Sequence, residues 1–352
     1  MTTLTRRERT AASERRLSLL QRRTRPLAGH TAIVIAVIDA LLILLFGLLS
    51  TNHLFLSLAS LQNIGFNAAQ IVLMAVAATF ELAAAQIDIS LGAILVLSSI
   101  VGGEVIQHLG GTSAQIQAGE YPHLARALIC GVAACVATGA AFGLTNGLIV
   151  TRLRVNSFIA TLGTTGIGLG IAFIITNGAD LAYQPTWLQD NFGAKNVLSV
   201  PLPALLVGLL VLVLWAVLRF TRFGLHTLAV GSSVTSAERA GVRVDRHIVR
   251  VYVLAGALCG LASLLDLSRF ATTNVTGHTN DALAAVAGAV IGGTSLYGGR
   301  ASVIGSVFGA LLAVILQSGL IAVGLAPFYQ QVAVGVVLIT AVYADRRRRS
   351  AV

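Results

Sequence analysis

Along this chain, long apolar runs alternate with short polar stretches from about residue 31 to residue 344. Each run approaches or exceeds the roughly 18 residues that a helix needs to cross a hydrocarbon core about 30 Å thick. Ten spans are predicted, near 31–50, 62–85, 89–107, 124–150, 156–176, 202–219, 247–267, 281–297, 301–322 and 328–344. Helices are the expected spanning form, because lipid cannot satisfy an exposed backbone. The spans at 156–176 and 281–297 are rich in Gly with Thr or Ser, so a break or re-entrant turn is expected there first. The fold class is therefore an all-α polytopic membrane protein. It has a basic arm at 1–30, a membrane domain at 31–345 and a basic tail at 346–352. Spans one to five and six to ten make two equal halves with an odd number of crossings each. Common ancestry would then require the second half to be inverted, a plan shared by many transporters.

Composition strengthens this reading. Of the 352 residues, 56% are hydrophobic and only 11% charged, with 36 glycines. A soluble domain carries about 25% charge, so a water-soluble enzyme is excluded. The net charge of +10 is a topological signal rather than a nucleic-acid footprint, because the basic residues are confined to particular loops. Of the 24 Lys and Arg residues, all but Arg126, Lys195 and Arg269 fall on one side of the ten-span arrangement. The positive-inside bias places that side, with both termini, in the cytoplasm. The arm, with a short amphipathic piece around Arg15–Arg23, reads as a segment near anionic lipid. Cys130, Cys135 and Cys259 lie inside apolar stretches, which suits buried packing rather than a disulfide or zinc site. In the outer loop 178–200, Tyr183, Trp187 and Phe192 suit an interfacial anchor.

Several chemistries are missing. A phosphate-binding loop ends in Gly-Lys-Ser/Thr, yet the only lysine, Lys195, stands between Ala194 and Asn196. No zinc-protease or serine-hydrolase motif is present either. No catalytic, metal or cofactor site is expected in this chain.

The second span does carry a polar stripe. Asn63, Asn67, Gln70, Met74 and Glu81 fall within about 60° of one another on a helix. Polar side chains in a span face protein or water rather than lipid. The stripe therefore reads either as a pathway wall for a polar solute or as helix–helix hydrogen bonding. A milder stripe, Ser302, Ser306, Gly309, Ala313 and Gln317, lies on the ninth span. Glycine pairs four residues apart, such as Gly139/Gly143/Gly147, Gly166/Gly170, Gly256/Gly260, Gly288/Gly292 and Gly305/Gly309, indicate close helix packing. The stretch 220–250 is the longest internal loop. Within it a Ser or Thr start, a short helix and a stop at Gly241 are predicted, and the exposed piece suits docking to a partner as well as a solvated basic loop.

Four ordered segments resemble the permeases of sugar-type ATP-binding-cassette importers, the ribose, xylose, arabinose and autoinducer group. They are Gln86–Gly92, with Asp88, Ser90 and Gly92; Asn146–Gly163; Ala229–Val242; and Ala284–Gly305, with Gly292, Gly293, Gly298, Gly299 and Arg300. The likeness covers about 60–345. Three positions depart from the family pattern: Gln86 replaces the usual Gly or Glu, Ala301 replaces a Gly, and Glu81 replaces an aliphatic residue. The resemblance implies a transport subunit rather than an enzyme. A second permease chain would complete the pathway, separate cytoplasmic ATPases would hydrolyse ATP, and an extracytoplasmic binding protein would deliver the solute. It also implies a bacterial inner-membrane location, with Thr235, Ala237, Glu238, Arg239 and Gly241 seated on the ATPase. On that reading Asn63, Asn67, Gln70, Glu81 and Gln317 line the substrate pathway, and Asp88 and Ser90 cap the third span or support the interface. The alternative is a secondary transporter driven by an ion gradient, which would use Asp39, Glu81, Glu104 or Asp266 and would not need the short polar helix.

Overall fold

The computed structural model describes residues 31–181, 184–270, 272–273, 276–278, 280–325 and six positions between 329 and 340. The basic arm, the basic tail and most of the tenth predicted span lie outside the described residues.

Among the described residues, eight helices are long and apolar enough to cross a membrane. They are α1 (Thr31–Leu49), α2 (Leu58–Ala83), α3 (Leu91–Gly110), α4 (Leu124–Arg152), α5 (Ser157–Thr176), α6 (Leu202–Phe220), α9 (Val244–Phe270) and α11 (Val303–Ala322). Between α6 and α9 lie two shorter helices, α7 (Arg222–Ser232) and α8 (Val234–Arg239). Between α9 and α11 lies α10 (Asp281–Ile291). The all-α class holds: among the described residues, the strands amount to a two-stranded ribbon, β1 (Asn196–Val197) and β2 (Val200–Pro201), and one isolated bridge.

Of the two spans singled out as open to a break, α5 is an unbroken 20-residue helix. The predicted span 281–297 is corrected to an 11-residue half-helix. At 1.5 Å per residue, α10 covers about 16 Å, half the hydrocarbon thickness. The chain still passes from one face of the bundle to the other. Before α10, Thr273 bridges Leu181 and bonds Ser99 on α3. After α10, Gly299 N–H donates to the Ala83 carbonyl at the far end of α2. The crossing is therefore a non-helical descent followed by a half-helix, which leaves the alternation of sides intact. The helix stops at the run Gly292-Gly293-Thr294, where Gly293 takes a φ of 97°.

α2 is the axis of the bundle, buried over most of its length, and it packs against α9, α10, α11 and α6. The glycine pairs show why the helices approach so closely. Gly139 and Gly143 on α4 meet Gly256 and the Tyr252 carbonyl on α9 backbone to backbone. Gly288 and Gly292 meet Gly309 and Gly305, locking α10 and α11 into one hairpin. Gly166 and Gly170 on α5, by contrast, have open space where a Cβ would stand. Cys135 and Cys259 are buried and unbridged. In the outer loop, Trp187 is exposed and Phe192 packs on the core, while Tyr183 lies outside the described residues.

Candidate functional site

Polar residues run down α2 in three groups, each joined to a different part of the fold. At the outer end Asn63 is exposed, and its Oδ1 accepts from the Arg269 guanidinium at 3.5 Å. That guanidinium lies 4.9 Å from the ring centroids of both Phe66 and Phe270, a cation–π arrangement. An open hollow, lined by Ser60, Asn63, Ser318 and apolar neighbours, lies here. Gln317 is half-buried on α11, one residue from the Ser318 that lines this hollow. Asn67 is half-buried one turn further in.

In the middle group the sequence pointed to Gln70 and Asp266, but not to His278 or to the way Asp281 joins them. Gln70 stands twelve residues into α2, about 18 Å along its axis. Its amide nitrogen donates to Asp281 Oδ2 at 3.1 Å, at the first residue of α10. His278 lies between two carboxylates, with Nδ1 2.7 Å from Asp281 Oδ2 and Nε2 3.2 Å from Asp266 Oδ1 on α9. With a carboxylate oxygen in reach of each ring nitrogen, the ring donates from both and is a cation, and the Gln70 amide, 3.2 Å from Nδ1, gives its hydrogen to the Asp281 carboxylate instead. Asp266 is almost fully buried, whereas Asp281 keeps one-fifth of its side-chain surface. Three segments remote in sequence thus meet at the depth where α10 begins. A signal was present in the sequence: Asp266 lies at the end of one apolar run and Asp281 at the start of the next, where an ionisable residue is expensive unless paired.

The inner group contains Glu81 and the Asp88 segment. Glu81 is 1% exposed and sits eleven residues, about 16 Å, beyond Gln70. It is packed in the core beside Asp88 rather than facing the space near Asn63 and Gln70. Asp88 Oδ1 accepts from the Ser90 N–H and hydroxyl at 2.6 Å each. Asn146 on α4 donates to Ser90 Oγ at 2.8 Å and to Asp88 Oδ2 at 3.3 Å. Ser90 occupies the N-cap of α3 without a side-chain cap bond, so it is Asp88 that ties down the free N–H here, and Ser90 links it to α4. Ser157 and Thr161 at the start of α5 bond the backbone of Ile87 and Ile89. Gly92 abuts the His278 carbonyl, where a Cβ would come to 2.6 Å. Close by, Thr79 on α2 and Ser306 on α11 share a 2.7 Å hydrogen bond.

The stretch 220–250, expected as a loop, is almost wholly helical. Thr221 and Ser233 cap α7 and α8, their hydroxyls accepting from Gly224 and Ser236 N–H. Gly241, at φ 84°, ends α8 by donating to the Glu238 carbonyl, and Val242 donates to that of Ala237. A left-handed glycine closes a helix in this way because it has no Cβ. Ala237 is buried among Val230, Val244, Ile248 and Tyr252, which pins α8 to the bundle. Thr235, Glu238 and Arg239 are exposed. Below α10, Gly298 and Gly299 (φ 81° and 74°) lie against Gly231 and Ser232. Gly292 and Gly293 end α10, and Arg300 follows with its carbonyl accepting from Ser295 N–H.

Of the other acids named for ion coupling, Glu104 pairs with His108 at 3.5 Å. Asp39 is buried on α1 with no hydrogen-bond partner among the described residues. Among the described residues no group of His, Cys, Asp and Glu side chains is arranged to hold a metal ion.

A multi-span helical bundle with a polar line down its central helix, a half-helix ending at mid-depth and an exposed capped helix on one face defines a membrane permease. Comparison with known proteins gives the family. The chain belongs to the family described as "Branched-chain amino acid transport system / permease component", which matches residues 60–342. It is 31% identical over 313 residues to the ribose import permease protein of Escherichia coli (strain K12), covering 88% of this chain and 92% of that one. It is 34% identical over 278 residues to the ribose import permease protein of Bacillus subtilis (strain 168), covering 78% and 81%. The D-allose transport system permease protein of Escherichia coli (strain K12) is 32% identical over 307 residues, covering 87% and 89%. No solved structure matches.

Proposed function

We infer that this chain is the membrane-spanning subunit of an ATP-driven importer for a sugar or a closely related polar solute. The observation that carries the reading is the pairing of a mid-depth polar group on α2 with an exposed, capped helix, α8, on the face that α10 reaches. Its relatives include permeases named for ribose, allose, fructose and L-arabinose, which favours an uncharged polyhydroxy solute over an amino acid. An ion-gradient carrier has no use for α8. Its leading acid, Glu81, is enclosed in the core, and Asp266 is engaged with His278.

In this reading a second permease chain completes the pathway, and separate cytoplasmic ATPases seat on the exposed Thr235, Glu238, Arg239 and Gly241, while Ala237, expected among them from the sequence, is buried and anchors α8 to the bundle instead. An external binding protein delivers the solute to the mouth near Asn63 and Arg269. The protein resides in a bacterial inner membrane with both termini in the cytoplasm, as the distribution of arginine supports. Asn63, Asn67, Gln70 and Gln317 offer hydrogen bonds along the way, whereas Glu81 supports the inner end of α2. The test is a mild-detergent pull-down of the tagged chain from its native membrane. Co-recovery of a chain with a phosphate-binding-loop ATPase motif is expected. A chain recovered alone, with vesicles that take up sugar on a proton or sodium gradient, overturns the reading.

A further inference from the structure

The half-helix α10 touches two distant parts of the molecule with its two ends. At its lower end the turn after it is clamped between the end of α2 and the segment that leads into α8. Gly299 N–H donates to the Ala83 carbonyl at 3.0 Å. Gly298 packs so closely that a Cβ would stand 2.6 Å from the Gly231 carbonyl oxygen and 2.7 Å from Ala85 Cβ. A Cβ on Gly299 would stand 3.0 Å from Ser232 Cα. Only the Ala85 methyl group and the Ser232 hydroxyl join these backbones in the contact, so a displacement of Gly231–Ser232 has little soft layer to absorb it.

At its upper end α10 begins in the ionic group. Asp281 is its first residue, and the cation His278 binds Asp281 and Asp266 together. Gln70, from the polar line of α2, completes the joint. Between the two ends run eleven helical residues without a break. Gly288 and Gly292 key that helix onto Gly309 and Gly305 of α11, so the two move as one hairpin.

We propose that α10 is the lever that carries movement of the α7–α8 segment to the solute pathway, and that His278 is the positioning residue that fastens its upper end to α9 and α2. This rests on the importer reading above and adds its internal linkage. Coupling between distant sites requires a rigid element with two arrangements that both sites bias, and α10 has a backbone-tight joint below and a charged joint above. His278 does not contact the solute; it holds Asp281 and Asp266 in register so that tilting α10 reshapes the space beside Gln70.

The test uses the complex co-purified from its native membrane and reconstituted in liposomes with its binding protein. Radiolabelled ribose, allose, fructose and arabinose serve as probes, and the sugar that the wild-type complex accumulates is carried forward. Uptake and ATP hydrolysis are both measured per complex. With His278→Ala or Gly299→Ala, uptake falls roughly two- to thirtyfold while hydrolysis persists, so the ATP spent per sugar rises by the same factor. His278→Arg, which restores a cation between the two carboxylates, returns the ratio toward the wild-type value. Uptake and hydrolysis falling together at an unchanged ratio would mean that His278 and Gly299 only support the fold, and would overturn the lever. If the wild-type complex accumulates none of the sugars, the importer reading itself fails, and the lever fails with it.

Discussion

Gly256→Ala, compared with Gly166→Ala, tests whether the close helix contacts are what hold the bundle together. Both glycines belong to pairs spaced four apart, and the sequence alone does not distinguish them. On Gly256 a methyl group would overlap the Gly139 carbonyl oxygen. It would also stand 2.9 Å from the Gly139 carbonyl carbon and 3.1 Å from Gly143 Cα. Comfortable carbon separations are about 3.5–4.0 Å, so α4 and α9 must part by a sizeable fraction of an ångström. Overpacking of this kind costs about 1–3 kcal/mol, and the parting also loosens the contacts at Gly139, Gly143 and Gly260. Alanine's better helix propensity recovers at most about 1 kcal/mol. On Gly166 the methyl group meets nothing within 4 Å, so only the propensity gain of roughly 0.5–1 kcal/mol remains. The propensity gain is common to both, so the two variants should differ by the overpacking cost, about 1–3 kcal/mol, with Gly256→Ala the less stable. The assay is thermal unfolding of the isolated chain in mild detergent, followed with a thiol-reactive dye. Cys135 and Cys259 are both buried, and Cys135 abuts Gly260, so labelling reports when this interface opens. Equal midpoints for the two variants, or a midpoint for Gly256→Ala at or above the wild type, would refute the packing argument.

Two further outcomes follow from the polar groups. Asn146→Leu removes the donor to Ser90 and Asp88 and strands buried acceptors at a cost of about 1–3 kcal/mol, to be read as a lowered midpoint, and an unchanged midpoint would show that the Asp88 group does not need α4. Arg239→Glu combined with Gly241→Pro should abolish uptake and ATPase coupling while the chain still reaches the membrane, since proline cannot adopt the φ of 84° found at Gly241; uptake at the wild-type rate would rule out α8 as the docking helix.

Much of this was legible because hydropathy leaves little choice in lipid. Eight of the ten predicted spans fall on helices of the expected length, and the start and stop of α8 follow from Ser233 and Gly241, whose side chain and backbone act locally. The half-helix was harder. Residues 281–297 are apolar enough to span, and what ends the helix at Ile291 is a tertiary event: the next turn needs Gly293, Gly298 and Gly299 at positive φ to fit against Ala83 and Gly231. Sequence marks those glycines as unusual but does not say what they meet. Glu81 failed in a different way. Helical periodicity correctly puts it on the same face of α2 as Asn63 and Gln70, but a face 39 Å long does not look into one space. Its outer third meets the hollow by Ser318, and its inner third meets Asp88 and the core.

That division of α2 bears on where solute selection can occur. A polar solute moving along the helix would find exposed hydrogen-bonding groups at Asn63 and partly accessible ones at Asn67, Gln70 and Asp281. Below Gln70, from Val72 to Ala83, every α2 residue is buried. The inner route is therefore closed by packing rather than by a polar barrier, and opening it requires whole helices to separate. Packed helices do this by rigid-body shifts between discrete arrangements, not by continuous deformation. Gln70 and Asp281 thus stand at the last polar station before the closed segment, and Asp281 is also the first residue of the helix whose following turn, at Gly298 and Gly299, packs against Gly231 and Ser232. Recognition at mid-depth and release on the far side are then placed on a single element, which explains why the chain breaks a membrane span at the cost of leaving Asp266, His278 and Asp281 to satisfy one another inside it.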